Sequence, residues 1–141
     1  RNKSRELAEE YDCDLVLIDG PPGTGCPVIA SITGVDMVLV VTEPSMSGIH
    51  DLKRILEVAK YFDTPALVCI NKYDINEENT QIIEDYCRGN GVEVAGKIPY
   101  DNTPVNAMIQ EKTVIEYSDN EFSKTINDIW ERVRWRLLRT T

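Results

Sequence analysis

The sequence is poor in the residues that mark disulfide frameworks, metal centres and histidine-based catalysis. Its four cysteines, Cys13, Cys26, Cys69 and Cys87, stand far apart and form no CxxC pair. This spacing supports neither a zinc site nor a disulfide framework. The single histidine, His50, has no second histidine or cysteine nearby, so we expect it on a helix surface. A serine–histidine–acid triad would have no visible base.

Long apolar runs and excess positive charge are also absent. No run approaches the roughly 18 apolar residues that a membrane helix needs, and the chain begins at Arg1 without a charged-then-apolar leader. The 24 acidic and 15 basic residues give a formal charge of −9, which repels nucleic-acid phosphates. We therefore expect a cytoplasmic protein with no membrane span and no nucleic-acid partner, cut from something longer.

The sequence does contain a repeated alternation of strand-length apolar runs and helix-length segments. Near-continuous aliphatic runs are typical of strands buried on both faces, as in a parallel sheet covered by helices. The predicted strands are residues 15–18, 37–41, 66–70 and 92–98, with 113–115 as a weaker fifth. With 141 residues and 42% hydrophobic content, residues 1–141 are predicted to form a single domain with an α/β fold.

Three helices are predicted between and after these strands. Apolar residues recur every three or four positions from Met46 to Phe62, which predicts a helix with one apolar face. A second helix runs from about Asn76 to Arg88 and ends at a glycine-rich C-cap signal. The last helix carries apolar residues from Phe122 to Leu137 on one face.

The glycine-rich turn at residues 20–25 has the first six positions of the phosphate loop GxxxxGK[ST]. The next two residues, Cys26 and Pro27, supply neither the lysine for the phosphates nor the hydroxyl for Mg²⁺. Pro27 also lacks an N–H group to donate. We therefore do not interpret this turn as a phosphate loop.

Asp19, immediately before this turn, supports a different interpretation. Four aliphatic residues followed by an aspartate at the end of a strand is how P-loop enzymes place the acid that holds Mg²⁺. The glycines that follow can bring backbone N–H groups close to a γ-phosphate because they lack a Cβ. The structural alternative is an N-capping aspartate before a tight turn.

The sequence Asn71-Lys72-Tyr73-Asp74 directly follows the predicted strand 66–70. An NKxD sequence at the end of a parallel strand is typical of a purine-reading loop, in which the asparagine amide bonds the base and the lysine stem lies along it. An ordinary turn is the alternative, since Asn and Asp also favour turns. The sequence from Pro99 to Asp101 follows the strand 92–98 and fits either the other side of a base pocket or a simple strand-to-helix turn.

In this order, the segments VLIDGPPGTG, DMVLVVTEPS, ALVCINKYD and GKIPYD resemble the MinD/ParA class of P-loop ATPases. The run CPVIASITG that follows the first of them most resembles the branch that carries an inserted ferredoxin domain. The resemblance implies a three-layer, doubly wound, mostly parallel sheet. It also implies an ATPase that forms a homodimer face to face around nucleotide.

The resemblance also assigns roles to individual residues. Asp19 matches the Mg²⁺-binding switch acid and Gly23 the γ-phosphate-sensing glycine. The cofactor-binding residues are then Asn71, Lys72, Asp74, Pro99 and Tyr100, with Asn71 as the adenine contact and Pro99 and Tyr100 as the base-flanking loop.

Two parts of the family's sequence pattern are missing from these residues. There is no GKGGxGK[ST]-like phosphate loop and no CxxCxxCxxxC motif of a ferredoxin insert. In the family both lie upstream of the strand that ends at Asp19, so the chain resembles a C-terminal half. We expect the fold to be incomplete without the N-terminal half, and any 4Fe–4S clusters to lie in the missing insert.

Three functions remain open from the sequence. The first is an ATP-binding and hydrolysing switch that uses ATP and Mg²⁺ and is coupled to an iron–sulfur domain or redox partner. In a variant of this hypothesis Cys26 ligates a cluster, although a cluster bridging two subunits needs a second cysteine per chain and none is visible.

The second function is a GTPase in which Asp74 accepts from a guanine edge. The spacing from Asp19 to Gly23 is one residue longer than the DxxG typical of GTPases, which favours the ATPase. The third is a non-catalytic interaction fragment. Nothing in the chain replaces the missing lysine, so hydrolysis is expected only of the full-length protein.

Overall fold

The structure, a computed structural model, describes residues 2–140. This part of the chain alternates helices with the strands of one parallel sheet. The helices are α1 (Asn2–Glu10), α2 (Cys26–Ile32), α3 (Met46–Tyr61), α4 (Glu77–Gly89), α5 (Thr103–Ile109), α6 (Val114–Tyr117) and α7 (Glu121–Thr140). The strands are β1 (Val38–Thr42), β2 (Ala66–Asn71) and β3 (Glu93–Ile98), and a single 3₁₀ turn covers Tyr73–Ile75.

The strands lie in the order β1-β2-β3, and both pairs are parallel. Val68 at the centre of β2 pairs with Val40 on one side and Val94 on the other, and it is fully buried. A parallel sheet needs both faces covered, because its crossover connections place helices there. The aliphatic run of β2 meets that requirement, whereas Leu39 and Val41 leave one face of β1 exposed, so the expectation of burial on both faces is wrong for β1.

Helices cover the sheet on two sides and make three layers. On one side, α3 and α4 contribute Leu52, Leu56 and Ile83 to a core with Val68 and Ile70. The other core contains Leu67, Cys69, Ala95, Ile129 and Val133, the last two from α7. The predicted α/β architecture with a parallel sheet between helices is therefore observed.

The helix α7 lies unusually close to β3 at Gly96. A Cβ built on Gly96 would overlap Cγ1 of Ile129, so only a glycine allows this approach. Close contact between a strand and a helix is one of the positions where a strand glycine has a structural reason. The packing of α7 therefore depends on a residue without a side chain.

Most of the predicted elements are present with small shifts at their ends. The strands at 37–41, 66–70 and 92–98 correspond to β1, β2 and β3, and the three predicted helices correspond to α3, α4 and α7. Asn76 caps α4, since its side chain accepts from the backbone N–H of Asn79 at 2.9 Å. His50 is exposed and lies 3.3 Å from Asp51, as expected.

Two predicted strands are wrong. Residues 15–18 are not a strand, and their apolar side chains are exposed, Leu17 at 84%. A strand exists only through a hydrogen-bonded neighbour, and within residues 2–140 the edge of β1 opposite β2 has no strand beside it. An aliphatic run predicts burial, but within residues 2–140 these residues have no strand to pair with.

The predicted strand at 113–115 is instead the start of α6. Thr113 forms a capping box with Glu116, in which each side chain accepts from the other residue's backbone N–H. The hydrogen bonds from Thr113 lower the pKa of the Glu116 carboxyl. The helix signal of a threonine followed three residues later by glutamate outweighs the β-branched composition of the segment.

Candidate functional site

The loops that follow the three strands meet at one edge of the sheet. Thr42 at the end of β1 pairs with Ile70, and Asn71 at the end of β2 pairs with Ile98. Because the strands are parallel, the loops at residues 43–45, 72–75 and 99–102 are neighbours. In open α/β sheets, ligands bind at this carboxyl edge.

The loop after β2 carries the NKxD sequence in a fixed conformation. Asn71 is half-buried at the strand end, and Lys72 has a left-handed backbone with φ 53° and ψ 44°. The carbonyl of Tyr73 accepts from Oγ1 of the buried Thr80 at 2.7 Å, which ties the 3₁₀ turn to α4. The loop therefore has a defined shape within this chain.

Asp74 connects the NKxD loop to the loop after β3. Its Oδ1 accepts a hydrogen bond from the backbone N–H of Tyr100 at 2.7 Å. The structure thus brings Asn71, Asp74 and Tyr100 to one place, although they come from two separate loops. Tyr100 is 60% exposed, so part of this residue is accessible to a ligand.

The segment after Pro99 is also held by its own side chains. Asp101 accepts from the backbone N–H of Thr103 at 2.6 Å, at the start of α5. The hydrogen bonds of Thr103 lower the pKa of the Asp101 carboxyl. These bonds form the strand-to-helix turn that was one alternative from the sequence, and the wall of a base pocket stays a prediction.

Glu43 is a residue of this edge that the sequence interpretation missed. Its Oε1 lies 2.7 Å from Nζ of Lys72, and the hydrogen bond and the charge of Glu43 raise the pKa of that ammonium. The side chains are partly exposed, Lys72 at 39% and Glu43 at 45%. An acid placed directly after β1, at the same sheet edge as NKxD, was the available signal.

Asp19 and Gly23 lie in a different environment. Residues 13–21 are neither helix nor strand, and Asp19 is exposed. Gly23 has a positive φ of 91°, which favours glycine, and a Cβ built there would meet no atom within 4 Å. No hydrogen bond in the described part of the chain joins either residue to the loops after β1, β2 or β3.

The exposed carboxylate of Asp19 is compatible with a nucleotide-bound Mg²⁺. Within residues 2–140, no group of three or more histidine, cysteine, aspartate or glutamate side chains could hold a metal. Mg²⁺ commonly takes one or two carboxylates and completes its shell with water and substrate phosphates. The single free carboxylate of Asp19 fits that pattern.

The cysteines form no site in the described residues. Cys26 is the exposed first residue of α2, and Cys13 is exposed near the end of α1. Cys69 and Cys87 are buried, and burial raises the pKa of each thiol to about 11. Buried thiols of this kind pack as small apolar groups.

Comparison with known proteins decides the family. The model of the ParA-type, NUBPL iron-transfer P-loop NTPases matches residues 7–134. The chain belongs to this family. The P-loop NTPases of the MinD/ParA type, which the sequence segments resemble, are therefore its relatives.

Several relatives come from Methanocaldococcus jannaschii. An uncharacterized protein is 30% identical over 127 residues, which are 90% of this chain and 42% of the relative. An uncharacterized ATP-binding protein is 30% identical over 118 residues, 82% of this chain and 43% of the relative. An iron–sulfur cluster carrier protein is 27% identical over 138 residues, 86% of this chain and 48% of the relative. The chain spans less than half the length of these relatives.

Solved structures of MinD proteins share the fold. The MinD cell division protein of Aquifex aeolicus superposes with a TM-score of 0.75 at 23% identity, over 95% of this chain and 59% of that chain. MinD of Pyrococcus horikoshii, complexed with Mg-ADP, gives 0.74 at 20% identity, over 99% of this chain and 58% of that chain. The predicted MinD-like fold is confirmed. None of the helices between residues 2 and 140 combines the length and apolar character needed to cross a bilayer.

Proposed function

We propose that this chain supplies the base-binding loops and the switch acid of an ATP-hydrolysing cytoplasmic protein of the ParA type. The observation that carries the proposal is the hydrogen bond from the Tyr100 N–H to Asp74, which joins the NKxD loop and the loop at residues 99–102 into one wall. Family membership makes a nucleotide the expected ligand of this wall.

In this proposal each residue of the wall has a separate task. The Asn71 side chain reads the base, since an asparagine amide can donate to N7 and accept from N6 of adenine. The Lys72 stem lies along the base, and Pro99 with the exposed Tyr100 ring flanks it. Asp74 holds these loops together.

Asp19 and Gly23 are proposed to act on the phosphates. Asp19 would hold the nucleotide-bound Mg²⁺, whose charge lowers the energy of the phosphoryl oxygens as they react. The Gly23 backbone N–H would contact the γ-phosphate and report its loss as a change in the loop before α2. The lysine and the row of N–H groups that grip the phosphates must come from residues outside this chain.

The proposed assembly is a homodimer around nucleotide with an iron–sulfur partner or domain. Relatives from Methanocaldococcus jannaschii and Pyrococcus furiosus are named iron–sulfur cluster carrier proteins, which supports this direction. Any 4Fe–4S clusters of a ferredoxin insert would be held by residues outside the chain.

The hydrogen bond of Asp74 also favours adenine over guanine. Reading the N1–H and N2–H of guanine would use both oxygens of a carboxylate, and one oxygen of Asp74 already accepts from Tyr100. The GTPase alternative would require one oxygen of Asp74 to accept from Tyr100 and from the base at the same time. For the chain by itself, the role of a non-catalytic fragment remains the second candidate.

Competition of ATP and GTP for a fluorescent analogue on the full-length protein tests the proposal. We expect ATP to compete better. A clear preference for GTP that Asp74→Ala reverses would overturn the assignment.

The isolated 141-residue chain should bind Mg·ATP weakly at best and should not hydrolyse it, because the phosphate-gripping groups are missing. Calorimetry and a phosphate-release assay on that chain measure both quantities. Tight binding with turnover would mean that residues 20–25 are a working phosphate loop.

A further inference from the structure

Lys72 adopts a backbone conformation that lysine disfavours. The described residues with positive φ that are not glycine are Asp12, Asp63, Lys72 and Glu111. Aspartate tolerates this region because its short side chain can bond locally, whereas lysine has no such compensation. Such a conformation persists when the surrounding contacts determine it, and it is often associated with function.

The contacts around Lys72 come from three different elements. Thr80 of α4 bonds the carbonyl of Tyr73, and the backbone of Tyr100 bonds Asp74, each at 2.7 Å. These two bonds fix the backbone after Lys72. The third contact is different, because Glu43 binds the side-chain ammonium of Lys72 at 2.7 Å and so decides where the side chain points.

Glu43 itself is held in place by the start of α3. Its carbonyl accepts from the backbone N–H of Ser45 at 2.8 Å. A Cβ built on Gly48 would overlap that carbonyl, so the first turn of α3 lies directly against it. The backbone of Glu43 is therefore held in place, and its side chain starts from a fixed point at the end of β1.

We propose that Glu43 is a positioning residue of the nucleotide site: it holds the Lys72 ammonium at the loop after β1, so that the lysine stem lies along the base. This inference rests on the proposed function. A free ammonium next to a triphosphate would turn towards the phosphates, because opposite charges attract. With Glu43 bound to the ammonium, the four methylene groups remain as an apolar surface for the base.

The proposal separates contacts to the base from contacts to the phosphates. Removing the charge of Glu43 should weaken AMP, ADP and ATP, because all three share the base. It should weaken AMP most and ATP least, because the released ammonium attracts the longer phosphate chain more strongly. It should also make ATP binding more sensitive to salt, because the released ammonium now contacts phosphate and that attraction is screened. A residue that only stabilised the fold would change neither the salt dependence nor the ratio of the three affinities.

A double-mutant cycle on the full-length protein tests this with Glu43→Gln, Lys72→Met and the double variant. We expect each single change to raise the Kd for ATP about three- to tenfold, and the double variant to be no weaker than Lys72→Met alone. The steeper salt dependence should appear in Glu43→Gln and disappear in the double variant. Both side chains are partly exposed, so all three variants should fold.

Asp85→Asn is the matched control. Asp85 pairs with Arg88 at 2.9 Å on α4, with both side chains exposed, and it lies outside the loops at the sheet edge. Asp85→Asn removes one negative charge, as Glu43→Gln does, and should leave the Kd for ATP unchanged. Additive losses, or an unchanged salt dependence, in a protein that binds ATP would overturn the role of Glu43. A wild-type protein that binds no ATP would overturn the proposed function, and this inference with it.

Discussion

The two parts of the candidate site differ in what holds them. The loops after β1, β2 and β3 are joined by an ion pair and by hydrogen bonds between different elements. Residues 13–21, which include Asp19, are exposed and belong to no helix or strand. Both parts follow aliphatic runs of similar length and apolar character. The comparison indicates that a loop is held by contacts within this chain when the strand before it is paired. The sequence of the loop matters less.

The largest expected effect comes from Asp19→Asn in the full-length protein. The change should lower turnover roughly tenfold to a thousandfold, because the lost charge acts on Mg²⁺ and on the transition state. Binding of nucleotide should largely remain, since the base loops lie elsewhere. Phosphate release and analogue binding, measured side by side, separate the two quantities.

Asp14→Asn provides the control for this variant. Asp14 is exposed at the other end of the same segment and makes no hydrogen bond within residues 2–140. It should leave turnover unchanged. If Asp19→Asn hydrolyses ATP with unchanged Mg²⁺ dependence, Asp19 does not belong to the site.

Gly96→Ala should weaken the packing of α7 against β3, beneath the loops at the sheet edge. The added methyl would overlap Ile129 and force α7 away from β3. Overpacking of this kind costs about 1–3 kcal/mol of the free energy of unfolding. Urea denaturation measures it.

Gly89→Ala is the matched substitution, because a Cβ there meets no atom within 4 Å. It should be neutral or slightly stabilising, since alanine restricts the unfolded chain. Equal stability of the two variants would show that the close approach of α7 is unimportant.

Much of the fold and of the loops at the sheet edge could be predicted from the sequence, and the rest required contacts. The period of apolar residues after Met46 predicted α3, and the NKxD sequence predicted a loop at the end of a strand. The run before Asp19 indicated burial, but within residues 2–140 no strand pairs with it. The position of Glu43 directly after β1 was a signal, but its contact with Lys72 could not be predicted, because it depends on how β1 and β2 pair.

A smaller effect is expected from Asp74→Ala. The loss of the bond to the Tyr100 N–H would free the two loops from each other and should raise the Kd for ATP about three- to tenfold. Asp74→Asn keeps an oxygen acceptor and should lose less. The ratio of ATP to GTP affinity should stay the same in both variants, and its reversal would mean that Asp74 reads the base.

Thiol labelling tests the structure without a substitution, by comparing the cysteines near Asp19 with those in the core. Cys13 and Cys26 are exposed and should react first, whereas Cys69 and Cys87 are buried. The thiolate is the reactive form, and the pKa of each buried thiol is about 11. Mass spectrometry at neutral pH should therefore find the buried pair modified only in denaturant.

The same pKa values predict how the stability responds to alkali. The two buried thiols have a higher pKa in the folded chain than the usual 9.0. Their contribution to stability is complete below about pH 9 and is lost as the pH rises through about 11. In the labelling experiment, modification of Cys69 as fast as that of Cys13 at neutral pH would contradict the buried core around β2.

Because Lys72 has a left-handed backbone, we expect the residue that gives the highest thermal stability at this position to differ from the one that gives the highest affinity for ATP. Glycine adopts this conformation freely, and the exposed ion pair with Glu43 adds little to stability. A library varied at this codon and selected for heat resistance should therefore enrich glycine. The same library selected for ATP binding should return lysine. Sequencing both pools would reveal whether evolution has kept a disfavoured residue for the sake of its side chain.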